Sequence, residues 1–260
     1  MKKLAAILLL VMAHTVSYAQ DSYLEMFRDT KYEPLNKEAI ELSVSTPSSP
    51  YFYQVLVERY NSGDSTLNLQ DYRHLYYGYA YSGSYDPHSE PVYADSVANT
   101  IAADNYIITS KSSEKLIYYI GNILSEEPFN LRFLNMMAYI YAKAGDTETA
   151  DIYARKFNMV LKAIISSGTG IDKDTPWYVL YRSDAMSLMT VFGAEPTRRA
   201  YITKTEEYYK FKEKVEGIKG FYFDFSYLFM IPDTSVPKHR FEFNPYHNPK
   251  SSKFLNRQII

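Results

Sequence analysis

The sequence predicts a mainly α, α+β protein: helical hairpins stacked in pairs, then a small C-terminal antiparallel β region. Apolar residues recur at three- and four-residue spacing from about Leu35 to about Ser166, the period of helices with one buried face. From Trp177 onward strand formers take over, and Phe221–Phe229 (FYFDFSYLF) alternates with a two-residue period. Ser166-Ser167-Gly168-Thr169-Gly170 separates the two regimes.

The amino terminus reads as a secretory signal over residues 1–19. Lys2 and Lys3 precede an apolar run, Leu4 to Val11, that is too short to span a bilayer, and Ser17-Tyr18-Ala19 supplies a cleavage site. Cleavage after Ala19 starts the mature chain at Gln20 and implies a periplasmic or secreted location. No later stretch is long and apolar enough to span a membrane as a helix. The mature chain keeps 26 basic against 30 acidic residues, a formal charge of −4. With no basic tract it is a poor nucleic-acid ligand, since that affinity rests on neutralised phosphates. The chain has no cysteine, which removes disulfides, thiol catalysis and Cys-based zinc sites.

The remaining organisation is a helical domain over 20–166, a small α/β cap ending in a β-hairpin over 167–231, and a Pro-rich irregular tail over 232–260. A first short helix covers about Leu35 to Val44. Ser49-Pro50 reads as the start of the next, with Phe52, Val55, Leu56 and Tyr60 on one face until Asn61-Ser62-Gly63-Asp64. Leu69 to Tyr81 forms its partner. Tyr85-Asp86-Pro87 is a turn, and Pro91–Ala103 and Ser113–Leu124 make a second pair.

The third pair is the most legible. Leu131, Leu134, Met137, Ala138 and Tyr141 line one helix, Gly145-Asp146 turns the chain, and Ala150, Tyr153, Ala154 and Phe157 line the next. With Pro128 before it, this stretch resembles one tetratricopeptide unit, whose roughly 34-residue period places small residues where its two helices touch.

In the second half, Trp177–Tyr181 is expected as a short strand, Asp184–Phe192 as a helix closed by Gly193, and Tyr209–Val215 as a half-exposed strand. Its lysines would guard an exposed edge. Glu216 to Gly220 would turn it into the Phe221–Phe229 strand, with Phe221, Phe223, Phe225, Tyr227 and Phe229 on one face. Pro232, Pro237, Pro245 and Pro249 argue against regular structure beyond Ile231.

The segments YNSGD (60–64), YRHLYYGYAYSGSYDP (72–87), EEPFNLRFLNMMAYIYAKAGDTETA (126–150), AIISSGTG (163–170) and the late FYFDF resemble a family known as a domain of unknown function, DUF4919. The resemblance spans most of the mature chain. It implies export, repeat-like helices ending in strands, and no activity or site residues.

Catalytic chemistry finds little support. Four histidines follow the signal, without HExxH or zinc spacing. Asp71 with His74, and Asp86 with His88 and Glu90, read as a solvated helix face and a turn. Ser167–Gly170 lacks the ending of a phosphate loop and reads as a connecting turn. Asp172 and Asp174 lack the rest of a calcium loop. No GxSxG elbow occurs, and Glu126-Glu127 and Glu206-Glu207 read as solvated ends. No catalytic residue, metal ligand or cofactor is assigned.

Tyrosine is the compositional outlier, with 27 against a single Trp. Six crowd residues 72–85, more than one buried stripe holds. Tyr72, Tyr76 and Tyr79 fit the core, which leaves Tyr77, Tyr81 and Tyr85, followed by Asp86 and His88, as a candidate binding face. The expected function is a non-catalytic helical-repeat-like module for a protein or peptide of the cell envelope. The alternative is a glycan-binding or glycan-processing envelope protein.

Overall fold

The computed structural model describes residues 23–88, 91–104 and 108–231. The signal segment, Glu90 and the Pro-rich tail lie outside them. A short helix over 23–29 (α1) precedes α2 (Lys37–Ser45), α3 (Tyr53–Asn61), α4 (Leu69–Gly78), α5 (Ala94–Ala103), α6 (Ser110–Glu126), α7 (Leu131–Ala144) and α8 (Thr147–Ile165). Strand β1 (Trp177–Tyr178), helix α9 (Arg182–Val191), and strands β2 (Pro196–Tyr201), β3 (Glu206–Val215) and β4 (Ile218–Asp224) follow, closed by a 3-10 turn over Ser226–Phe229. Among the described residues no helix is long and apolar enough to cross a membrane.

Local chemistry sets most helix ends. Asn36, Asn68, Thr109, Asn130 and Asp146 each accept a backbone N–H from the first turn of the helix that follows. Gly145 ends α7 in the left-handed region (φ 84°), so the reversal into α8 sits at the predicted position. Ser49 behaves differently from expectation. Its hydroxyl accepts the Tyr51 N–H at 3.1 Å and closes a turn, so α3 begins only at Tyr53.

Helix α8 packs along α7, α6 against α7, and α5 against α6. Helix α4 lies on α8 and carries α2 and α3 on its other sides. The sheet has the order β1-β4-β3-β2 and is mixed rather than antiparallel, because β1 runs parallel to β4 through Trp177↔Phe223 and Tyr178↔Asp224. The expected five-residue strand at Trp177–Tyr181 pairs over two residues before the chain enters α9. Strand β2 is an addition to the predicted hairpin, and it makes β3 an interior strand. The lysines of β3 therefore line its solvent face instead of guarding an edge. Glu216 (φ 50°) and Gly217 (φ 81°) form a two-residue turn with both angles positive, so the strands pair down to Val215↔Ile218 and the predicted longer turn shrinks. Phe221, Phe223, Phe225 and Tyr227 are buried, but the last two follow the strand, and Phe229 is exposed.

One apolar cluster runs through both regions, from Leu24 through Leu56, Tyr76 and Leu161 to Trp177 and Phe223. A smaller one between α5, α6 and α7 holds Val97, Leu116, Ile120, Ile123, Phe133 and Met137. The indole of Trp177 is fully buried among Phe27, Phe192, Phe221 and Phe223, with ring centroids 4.6–5.9 Å away. It lies against the turn that follows α8. Its Nε1 donates to the Gly168 carbonyl at 3.1 Å, and a Cβ on Gly170 (φ 68°) would stand 2.6 Å from the ring.

That contact generates a test. Gly170→Ala adds overpacking of about 1–3 kcal/mol to a left-handed backbone penalty of about 1 kcal/mol. Gly217→Ala, where nothing lies within 4 Å, meets the backbone term alone. Thermal unfolding should show Gly170→Ala lowering Tm by several degrees more than Gly217→Ala, and equal losses would refute the packing account.

Candidate functional site

Helix α4 positions the tyrosine-rich stretch. Asn68 caps it, accepting the Asp71 N–H, and the Asp71 carboxylate accepts the Asn68 N–H at 2.8 Å. Asp71 is thus buried in a capping box, and it does not sit on a solvated face. His74 stacks on Tyr51 with ring centroids 3.8 Å apart and donates Nδ1–H to the Gln70 carbonyl. Burial lowers its pKa.

The expected binding face of Tyr77, Tyr81 and Tyr85 turns inward. Tyr77 is fully buried against Tyr227, and its hydroxyl donates to the Tyr178 carbonyl at 3.1 Å. Tyr85 is buried between Tyr79 and Tyr181 and donates to the Leu180 carbonyl at 2.6 Å. Tyr81 is half-buried, its ring edge-on to Tyr227. The physical reason is that α4 is covered by helices and by the β1–α9 segment, so it has no single solvent face. Asp86 and His88 remain at the surface. Asp86 accepts the His88 N–H at 3.0 Å, and the His88 Nε2 lies 2.9 Å from the Ile231 carbonyl. Of the five residues, Tyr77 and Tyr85 thus lie inside, Tyr81 is half-buried, and Asp86 and His88 are exposed.

Two buried acids stand near these tyrosines. The Asp184 carboxylate accepts the Tyr76 hydroxyl at 2.6 Å and the Tyr181 N–H at 3.2 Å, and the Tyr76 oxygen in turn accepts the Leu180 N–H at 2.9 Å. Burial pushes the Asp184 pKa up to about 7. The Glu127 charge adds to the rise, and the Tyr76 and Tyr181 bonds oppose it. Glu127, expected at a solvated end, is also buried and raised by burial, with its carboxylate accepting the Asn130 amide at 2.6 Å. Glu207 likewise lies inside, held by Arg182 at 2.5 Å and by the Tyr209 hydroxyl at 2.8 Å. Its inward side follows from strand alternation, which forces one member of a Glu-Glu pair into the core. Both Asp184 and Glu207 are enclosed, so they act on the fold. Among the described residues no group of three or more His, Asp or Glu side chains is placed to hold a metal ion. A groove of about 420 Å³ beside α1 is lined by Met26, Asp29, Thr30, Lys31, Leu69, Met159 and Lys162, and its Thr30 hydroxyl donates to the Met26 carbonyl at 2.7 Å.

The exposed aromatic surface lies elsewhere. Tyr93, just before α5, stacks on Tyr119 at 5.3 Å and meets Tyr118 edge-on at 5.7 Å, and their three rings close into one cluster. Tyr118 is 58% exposed and Val92, next to Tyr93 in the chain, is 77% exposed, whereas Tyr93 and Tyr119 are half-buried against the smaller apolar cluster. The Tyr93 and Tyr118 hydroxyls share a hydrogen bond at 3.4 Å; that bond and the nearby charge of Tyr118 raise the Tyr93 pKa, and Glu126 contributes. Gly121, one turn beyond Tyr118, has open space where a side chain would be. A signal for this face existed: Leu116, Ile120 and Ile123 define the buried stripe of α6, and Tyr118 falls off it.

Asp184 generates a pH prediction. Its folded pKa, about 7, exceeds the roughly 3.9 of an unfolded chain, so the folded protein holds a proton that the unfolded one releases between those values. Stability from this group is therefore greatest near pH 4, falls as pH rises, and levels off above about pH 7. The change is on the order of a few kcal/mol. Asp184→Asn, which keeps an acceptor for Tyr76, should flatten the Tm profile between pH 4.5 and 7.5; an unchanged slope would refute the assignment.

Residues 38–231 match the model of a family described as a domain of unknown function, DUF4919. No curated protein and no solved structure matches the chain. The matched span runs from the first turn of α2 to the last described residue and includes the buried Asp184 network and the α5–α6 aromatic cluster; the chain belongs to the DUF4919 family.

Proposed function

We propose that the protein is an exported, non-catalytic binding module, built from tetratricopeptide-like helical hairpins, that captures a protein or peptide segment in the cell envelope. The observation that carries the reading is the exposed Tyr118 of α6, 58% exposed and backed by the half-buried Tyr93 and Tyr119. Its large, rigid ring with a hydroxyl is chemistry enriched at binding hot spots. The signal-like amino terminus supports export, and the Gly145-Asp146 reversal between α7 and α8 supports the hairpin repeat. Aromatic platforms also suit sugars, so a glycan is the competing ligand for the same rings.

Cross-linking in intact envelopes, with identification of what is held, tests the reading. A Tyr93→Ala/Tyr118→Ala double variant should lose at least about tenfold of the capture, the loss of one or two hot-spot rings. Its far-UV circular dichroism should not change, while Tyr77→Phe should lower Tm and leave capture intact. Undiminished capture by the double variant, or binding on a glycan array lost with the same rings, would overturn the reading.

A further inference from the structure

Strand β2 is the outer strand of the sheet, with β3 on one side and, among the described residues, no ladder partner on the other. Its register decides which backbone groups are free. The Ile202 N–H donates to the Glu206 carbonyl at 2.8 Å, and the pairs Tyr201↔Glu207, Ala200↔Tyr208, Arg199↔Tyr209 and Arg198↔Lys210 run back from it. Antiparallel ladders alternate, so Ala200 and Arg198 turn their backbone groups to β3, while the N–H and C=O of Arg199 and Tyr201 point away from the sheet. Thr197, Arg198, Arg199, Tyr201 and Ile202 are all exposed. An open edge of this kind is a template for one more strand.

The side chains of the edge select by charge. Pro196 to Thr205 holds Arg198, Arg199 and Lys204 and no acid, although residues 20–231 carry 21 basic against 28 acidic side chains. Arg198 stands directly opposite Lys210, a cross-strand pair of like charge that an anion would relieve. The acids nearby are largely answered. Glu207 is enclosed and held by Arg182 and Arg199, Glu195 pairs with Lys212 at 3.1 Å, and Asp224 acts on Lys37. Glu206 remains, against Lys204 and Lys210. The β3–β4 turn adds Glu213, Lys214, Glu216 and Lys219, two of each sign. Asp172, Lys173 and Asp174 lie in the loop across β4, where the Gly170 carbonyl accepts the Tyr222 N–H. The same charges oppose a second copy on this edge. The strand is six residues long, so pairing β2 with β2 brings Arg198 and Arg199 of each copy against those of the other.

We propose that the free edge of β2 adds an extended, acidic segment of a protein partner as a new outer strand of the sheet. Backbone bonds to Arg199 and Tyr201 supply the hold, and side chains supply the choice. Neighbouring acids meet Arg198 on one face and Arg199 on the other, with an apolar residue two positions on beside the exposed Tyr201 ring. Arg199 donates to the Tyr201 hydroxyl at 2.7 Å and lies 3.7 Å from Glu207, but a guanidinium has five N–H donors and keeps some for a carboxylate. This site lies in the sheet and does not rest on the Tyr118 face.

The test titrates the full chain with a capped, fluorescein-labelled peptide, Thr-Val-Glu-Glu-Val-Val-Thr, and with its twin carrying Lys for Glu. Anisotropy should show the acidic peptide binding at least about tenfold more tightly than the twin, and Arg198→Glu should erase that preference. Tyr201→Pro removes an outward N–H that Tyr201→Ala keeps, and an edge strand tolerates both. The Pro variant should bind the acidic peptide at least about fivefold more weakly than the Ala variant. Hydrogen–deuterium exchange reads the same geometry without a variant. The Arg199 and Tyr201 amides should exchange fast in the free protein and slowly with the acidic peptide bound, while Ala200 stays protected throughout. Absence of binding up to about millimolar peptide, equal affinity for the twin, or a Pro variant that binds as well as the Ala variant would overturn the proposal. So would Arg199 and Tyr201 amides already protected in the free protein, whether by a second copy or by the chain itself.

Discussion

Phenol hydroxyls join the helical part of the molecule to the sheet. From α4 and the loop after it, Tyr76, Tyr77 and Tyr85 reach across to β1, α9 and the segment that joins them, where they engage the Tyr178 carbonyl, Asp184, and the Leu180 N–H and carbonyl. An apolar contact holds two elements near each other without fixing their register, whereas a buried hydrogen bond is satisfied at one position and leaves costly unpaired groups at others. The β1–α9 segment is short and irregular, and few of its backbone groups have ladder partners. The tyrosines supply those partners and in doing so give up any role at the surface.

Buried charges follow the same economy. Arg73, almost fully buried on α4, donates to the Ser166 hydroxyl at 2.6 Å and the Glu33 carbonyl at 3.1 Å. Ser166 closes α8, so the guanidinium stands where the helix dipole is negative. Lys37 lies over the rings of Tyr178 and Tyr227 and contacts the Ser226 hydroxyl, and burial lowers its pKa against the pull of Asp224. Each cation ties the helical layer to the region after α8 through a different kind of acceptor: a helix end in one case, aromatic faces in the other.

What could be read in advance was what local chemistry decides. Gly145-Asp146 specifies its reversal with two residues, and the spacing from Leu131 to Phe157 needs no distant partner. Strand β2 (PTRRAY) has no apolar alternation, and it is a strand because β3 offers it a ladder. The burial of Tyr77 and Tyr85 depends on partners about a hundred residues away, which a helical period cannot reveal. The period of α6 did carry the exposure of Tyr118, but only through the stripe it leaves out. Tyrosines crowd 72–85, where most of the rings are buried, while the ring most open to solvent among the described residues, Tyr118, stands in a smaller cluster.

Trp177 has a consequence for observing this molecule. It is the single indole, fully enclosed, and touches α1 through Phe27, α9 through Phe192 and β4 through Phe223. Its fluorescence therefore reports one place, the junction of three elements, against a background of tyrosines able to transfer excitation to it. A shift of its emission toward longer wavelengths would mark the moment water enters that junction, so the assembly of the two halves can be followed optically without any label.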